Sequence, residues 1–228
     1  MTGLIAALDT TDPQQALAWA RLVGPSCGML KLGLEFFLAN GIEGARLIDE
    51  RPVFLDLKLH DIPNTVAGAV KAVLPLRPAM LTLHAAGGGA MIAAARQAAE
   101  VAGETRPVLL AVTVLTSLDA EALHSIGVAG GPRQQVMRLA RLAIDAGADG
   151  IVCSAHEVSM LRTALGPTPV LVVPGIRPAG SDHGDQARTM TPRDAAAAGA
   201  DWLVVGRPIT KATDPAAAAA EIAAELVG

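Results

Sequence analysis

Short apolar segments, many of them β-branched, recur along the chain and alternate with stretches of helical periodicity. The predicted strands cover residues 4–9, 29–35, 53–60, 80–85, 108–115, 150–154, 170–174 and 202–206. The predicted helices cover 13–23, 42–49, 65–74, 90–101, 133–146, 156–165, 192–198 and 215–227. Several of these helices stop at Gly or start after Asp, Ser or Thr, which satisfies their end groups. Strands that are apolar almost throughout, rather than at alternate positions, belong in a parallel sheet covered on both faces. Eight strand-plus-helix units in 228 residues predict an α/β fold of the closed (β/α)8 TIM-barrel type, one domain over residues 1–228, near the usual ~250. An open doubly wound sheet is the alternative. Two connections exceed what a barrel requires. Residues 116–132 include a predicted short helix at 119–125. Residues 177–191 are polar and contain Gly, and they follow strand seven on the side where barrels keep their chemistry, so they read as a lid or as a solvated surface loop.

One predicted strand breaks the apolar rule. In Phe54-Leu-Asp-Leu-Lys-Leu-His-Asp-Ile-Pro-Asn-Thr65, period-two alternation puts Leu55, Leu57 and Leu59 on one face and Phe54, Asp56, Lys58 and His60 on the other. A carboxylate and an ammonium on an otherwise buried strand are costly without a purpose. Pro63 disfavours helix at the residue before it, so the strand gives way around Asp61. Asn64 or Thr65 is then the expected cap of the next helix. Asp9 ends strand one and Lys31 lies in strand two, so a closed barrel gathers Asp9, Lys31, Asp56 and Lys58 at one mouth. Alternation of acid and base lets each charge be offset by a neighbour in a partly desolvated place. Any one of them taken alone, Asp9 above all, also reads as a solvated strand end.

The far end of the strand series is suited to an anion. Strand eight runs into Gly206 and Arg207, and strand seven into Arg177. Gly206 allows close backbone approach, an arginine offers a two-pronged donor, and barrels frequently bind phosphate after strands seven and eight. Pairing of both arginines with surface carboxylates is the alternative.

Composition narrows the classes of function. Aromatic residues make up 2%, with no Tyr, and the net charge is −4. Neither a base-stacking platform nor a basic footprint for nucleic acid is present. The two cysteines, Cys27 and Cys153, form no disulfide or zinc pattern and read as inert core thiols. The five histidines, among them His60 and His84, show no metal-binding spacing, so no dedicated metal site is expected. No basic, apolar leader and no run of membrane-spanning length is evident, which points to the cytoplasm.

Taken together, Leu8-Asp9, Leu30-Lys-Leu-Gly33, the segment from Phe54 to Thr65, Thr113-Val-Leu-Thr-Ser117, Pro174-Gly-Ile-Arg-Pro178 and Val205-Gly-Arg-Pro-Ile209 resemble the bacterial type of orotidine 5′-phosphate decarboxylase. The Asp-x-Lys-x-x-Asp core alone is shared with related Mg2+-dependent phosphosugar decarboxylases and aldolases, which are the alternative. The extension into His-Asp-Ile-Pro-Asn-Thr and both arginine motifs are more specific. The resemblance implies a small-molecule substrate, orotidine 5′-monophosphate, converted to uridine 5′-monophosphate and CO2 without a cofactor. It implies that Lys58 donates the proton at C6, that Asp56 lies by the departing carboxylate, and that Lys31 and Asp9 bind ribose hydroxyls. It implies that Thr116 contacts the pyrimidine, and that Arg177, Gln186, Gly206 and Arg207 hold the phosphate. It further implies a homodimer in which Asp61 and Thr65 enter the neighbouring subunit's site.

Overall fold

In the computed structural model, which describes residues 2–177 and 190–226, the apolar segments pair in chain order. Strands β1 (Gly3–Ala7), β2 (Met29–Gly33), β3 (Val53–Leu59), β4 (Met80–His84), β5 (Val108–Val112), β6 (Gly150–Val152), β7 (Val170–Val173) and β8 (Trp202–Val205) are all parallel, and β8 pairs with β1 to close a barrel. Closure separates two cores. Ile5, Ala7, Met29, Phe54, Met80, Leu110, Val172 and Val204 fill the barrel interior. The opposite faces of the same strands, among them Leu4, Leu30, Leu55, Leu81 and Leu109, pack under the helices. This is why the strands read as continuously apolar: both faces are buried.

The helices between them are α1 (Pro13–Val23), α2 (Leu34–Arg46), α3 (Pro63–Val73), α4 (Gly89–Ala99), α5 (Ala120–Ser125), α6 (Pro132–Asp145), α7 (Val158–Leu165), α8 (Pro192–Ala197), α9 (Arg207–Thr210) and α10 (Pro215–Ala224). α5 is the short extra helix expected in the long fifth connection, capped by Asp119, whose Oδ1 accepts from the Ala122 amide at 2.8 Å. Two expectations differ from the structure. The second helix begins at Leu34, not at residue 42, and β2 stops at Gly33. Gly41, with φ 61°, breaks the helical path in its middle and hides the first turns from a periodicity search, although Phe36 there is fully buried. The third helix starts at Pro63 with Ile62 in the cap position, and neither Asn64 nor Thr65 caps it. Pro fits the first helical position because its fixed φ suits the turn and no amide partner is needed there.

The described part of each predicted long connection follows the C-terminal end of its strand, β5 or β7. Residues 178–189, most of the predicted lid, fall outside the described residues, and Gln186 falls with them. At the opposite, N-terminal ends the same tetrapeptide occurs twice, as Ala146-Gly-Ala-Asp149 before β6 and Ala198-Gly-Ala-Asp201 before β8. Asp149 Oδ2 accepts from the Leu109 amide at 2.8 Å, and Asp201 Oδ2 accepts from the Leu171 amide at 2.7 Å. An arginine from an earlier helix clasps each: Arg96 donates to Asp149 and to the Gly147 carbonyl, while Arg162 donates to Asp201 and to the Gly199 carbonyl. Arg106 adds two bonds to Asp149, and its guanidinium, with the Leu109 amide and Arg96, outweighs burial and holds that carboxyl below the ordinary carboxylate range. Among the described residues, no helix is long and apolar enough to cross a membrane.

Candidate active site

β3 is not a regular strand. Its pairing with β4 steps from Leu55 opposite Leu81 to Leu59 opposite Leu83, so four residues of advance on β3 match two on β4. The slack is taken up around Lys58, whose φ of 50° is in the left-handed region. A non-Gly residue there stores roughly 1–3 kcal/mol and persists only where its surroundings fix it. The Lys58 amide, turned away from the regular ladder, donates to Thr82 Oγ1 at 2.9 Å. The bulge brings the Lys58 side chain over the barrel mouth beside Asp56.

The four predicted charged groups form one connected row. Lys31 Nζ lies 2.9 Å from Asp9 Oδ1 and 3.7 Å from Asp56 Oδ2. Lys58 Nζ lies 2.8 Å from both oxygens of Asp56. Asp56 Oδ1 also accepts from the Thr82 hydroxyl at 3.0 Å. Burial would push the Asp56 carboxyl up, but the charges of Lys31 and Lys58, joined by hydrogen bonds from Lys58 and Thr82, outweigh it and hold the group below the ordinary carboxylate range. Exposure rises toward the rim: the side chains of Lys31 and Asp56 are 9% and 15% exposed, against 33% for Lys58 and 55% for Asp9. The inner two charges are therefore committed to one another, and the outer two face an incoming molecule.

Two adjoining cavities meet at this row. The first, about 240 Å³, is lined by Lys31, Asp56, Lys58 and Thr116 on one side and by apolar side chains such as Phe54, Val152 and Val172 on the other. Fully buried Cys153 also lines it, with a thiol pushed well above its ordinary value by burial. Burial likewise pushes the Cys27 thiol up, to about 12. The second cavity, about 540 Å³, is lined by Asp9, Lys31, Arg177, Gly206, Arg207 and Lys211, among others. Lys31, Pro174 and Val204 belong to both. The combined space is apolar at one end, charged in the middle and cationic at the other, as a nucleotide-sized anion requires.

Most of the residues singled out in the sequence converge here. Asp61 and Thr65 do not: both are exposed and line neither cavity of their own chain. His60 is exposed at the rim, its ring 5.4 Å from that of His84. Burial, reinforced by the charges of His60 and Lys58, lowers the affinity of His84 for a proton, with Asp56 opposing. Thr82, fully buried yet bonded to both Asp56 and the Lys58 backbone, was not among the predicted residues. In Met80-Leu-Thr-Leu-His84 it reads as an ordinary β-branched strand residue. Its parity with Met80 and His84, facing a strand that carries Asp and Lys, was the available signal.

Comparison with known proteins identifies the family. A family model described as Orotidine 5'-phosphate decarboxylase / HUMPS family matches residues 2–222. The chain is 58% identical to the orotidine 5'-phosphate decarboxylase of Gluconobacter oxydans (strain 621H), over 99% of this chain and 97% of that one. It is 56% identical to that of Anaeromyxobacter sp. (strain K), over 98% and 97%. Among solved structures, that of orotidine 5'-phosphate decarboxylase from Lactobacillus acidophilus superposes with a TM-score of 0.88 at 37% identity, covering 100% of both chains. With eight parallel strands closed into a barrel and a family match running nearly end to end, the chain belongs to the orotidine 5'-phosphate decarboxylase / HUMPS family.

Proposed function

We propose that the row Asp9–Lys31–Asp56–Lys58 is the catalytic centre that converts orotidine 5′-monophosphate to uridine 5′-monophosphate and CO2. The decarboxylase activity itself follows from the family and from relatives above 50% identity over nearly the whole chain. The observation that carries the assignment of residues is the unbroken row of ion pairs at the junction of the two cavities.

The chemical difficulty is the electron pair left on C6 when CO2 departs, since no neighbouring carbonyl can accept it. Fixed charge already in place at that position is the available means of lowering the barrier. Lys58 Nζ is the more exposed of the two ammonium groups that line the smaller cavity, and it stabilises the developing charge and then delivers its proton to C6. Asp56, held ionised by two lysines, orients Lys58 and lies beside the departing carboxylate. Lys31, on the wall shared by the two cavities, and Asp9, in the larger one, bind the ribose hydroxyls. The pyrimidine occupies the smaller cavity against Thr116, and the phosphate lies by Arg177, Gly206 and Arg207, with Gln186 as a further ligand. Binding energy from this remote phosphate supports chemistry at C6. No cofactor takes part, and the reaction takes place in the cytoplasm.

The working unit is a homodimer in which Asp61 and Thr65 complete the partner's site. Their exposure supports this, as does that of their apolar neighbour Ile62, which is 65% exposed. The test is absorbance of purified protein with orotidine 5′-monophosphate in the presence of EDTA, for the wild type and for Lys58→Ala. Conversion by the wild type and none by a folded Lys58→Ala is expected. A metal requirement would overturn the cofactor-free reading, and near-normal turnover by Lys58→Ala would overturn its role.

A further inference from the structure

We infer that Thr82 is a positioning residue for the decarboxylation: one buried hydroxyl sets both the left-handed backbone of Lys58 and the orientation of Asp56. The inference rests on the assignment of Lys58 and Asp56 just given. A hydroxyl can donate once and accept at the same time, and Thr82 spends both capacities on these two residues. It accepts from the Lys58 amide at 2.9 Å and donates to Asp56 Oδ1 at 3.0 Å. It stands within the stretch of β4 where the pairing with β3 slips, between Leu81 and Leu83, so its hydroxyl takes a backbone donor that the ladder does not. With no exposure to solvent, no water stands in if the hydroxyl is lost, and the Lys58 amide is left with an unfavourable choice: to remain unpaired or to abandon φ 50°. Abandoning φ 50° moves Nζ, and loss of the bond to Oδ1 releases the carboxylate that Nζ now meets symmetrically at 2.8 Å. Thr82 touches no part of the cavities, so substrate affinity does not depend on it directly.

The experiment compares Thr82→Val, Thr82→Ala and Thr82→Ser with the wild type in kcat and KM for orotidine 5′-monophosphate, alongside thermal unfolding. Val keeps the volume and removes the hydroxyl, Ala removes both, and Ser keeps the hydroxyl alone. Val and Ala are expected to lower kcat about ten- to hundredfold with KM little changed, the usual consequence of losing a hydrogen bond to a charged group. Ser is expected to recover most of kcat. Activity that follows volume instead, with Val active and Ser impaired, overturns the inference. So does a Val variant with wild-type kcat, or one whose whole loss lies in KM. Lys58→Ala measured in parallel separates the two levels. If it is inactive while Thr82→Val is fully active, only the role of Thr82 falls; if it is active, the assignment of Lys58 falls.

Discussion

Replacing Gly33 by Ala tests the charged row without removing any of its members. Gly33 ends β2 opposite Asp56, with φ −84° and ψ 177°, a conformation open to any residue, so only space is at issue. A Cβ there would stand 3.0 Å from both Asp9 Oδ1 and Lys31 Nζ, which are themselves 2.9 Å apart. Something must give by a few tenths of an ångström. Lys31 is 9% exposed and held on its other side by Asp56, whereas Asp9 is 55% exposed, so Asp9 swings outward and the pair lengthens. Asp9 displaced in this way loses its proposed charge-assisted contact to the ribose hydroxyls, which costs about 1–2 kcal/mol of transition-state binding. The expected fall in kcat/KM is therefore about five- to thirtyfold. Folding stability changes by only ~0–1 kcal/mol, because a half-exposed pair contributes little to it. Initial rates with orotidine 5′-monophosphate and a thermal melt read the two effects separately. A Gly33→Ala protein with kcat/KM within twofold of the wild type would refute the idea that the close approach constrains the row.

Two further outcomes are expected. Mixing inactive Lys58→Ala and Asp61→Ala proteins restores up to about a quarter of wild-type activity, since half of randomly assembled symmetric dimers are mixed and each has one intact site; no recovery despite demonstrated subunit exchange would rule out the shared site. Thermal stability falls as pH drops below about 6.5, because His84 binds its proton less readily folded than unfolded and the unfolded chain then takes up more protons. His84→Gln flattens this part of the stability profile, measured as melting temperature from pH 8 to 5, and an unchanged slope would exclude His84 as its source.

The barrel was legible because a strand covered on both faces has a distinctive composition, and because eight such segments alternate with helical ones along the chain. The charged row was legible because Asp9, Lys31, Asp56 and Lys58 interrupt segments that are otherwise apolar. Parity placed Asp56 and Lys58 on one face correctly but concealed how they get there. Alternation counts faces, not register, so it passes over a bulge that returns Lys58 to the inner side. Thr82 escaped for a related reason, since its importance arises from a neighbour 24 residues earlier rather than from its own segment. The start of α2 was hidden by Gly41, where the helical path breaks.

The two Ala-Gly-Ala-Asp segments have a consequence for how freely this chain can change. Arg96 reaches Asp149 across 53 residues and Arg162 reaches Asp201 across 39. Each pair works as a latch around one strand, one long connection and one helix: β5, residues 116–132 and α6 in the first, and β7, residues 177–191 and α8 in the second. The strands are pinned at their N-terminal ends through the Leu109 and Leu171 amides, while both long connections leave from the other end. Since the entropy of a loop grows only slowly with its length, insertions and deletions in these two connections alter the mouth without unfastening the floor. Variation in loop length among relatives should therefore concentrate inside the two latched spans, where the barrel is insured against it.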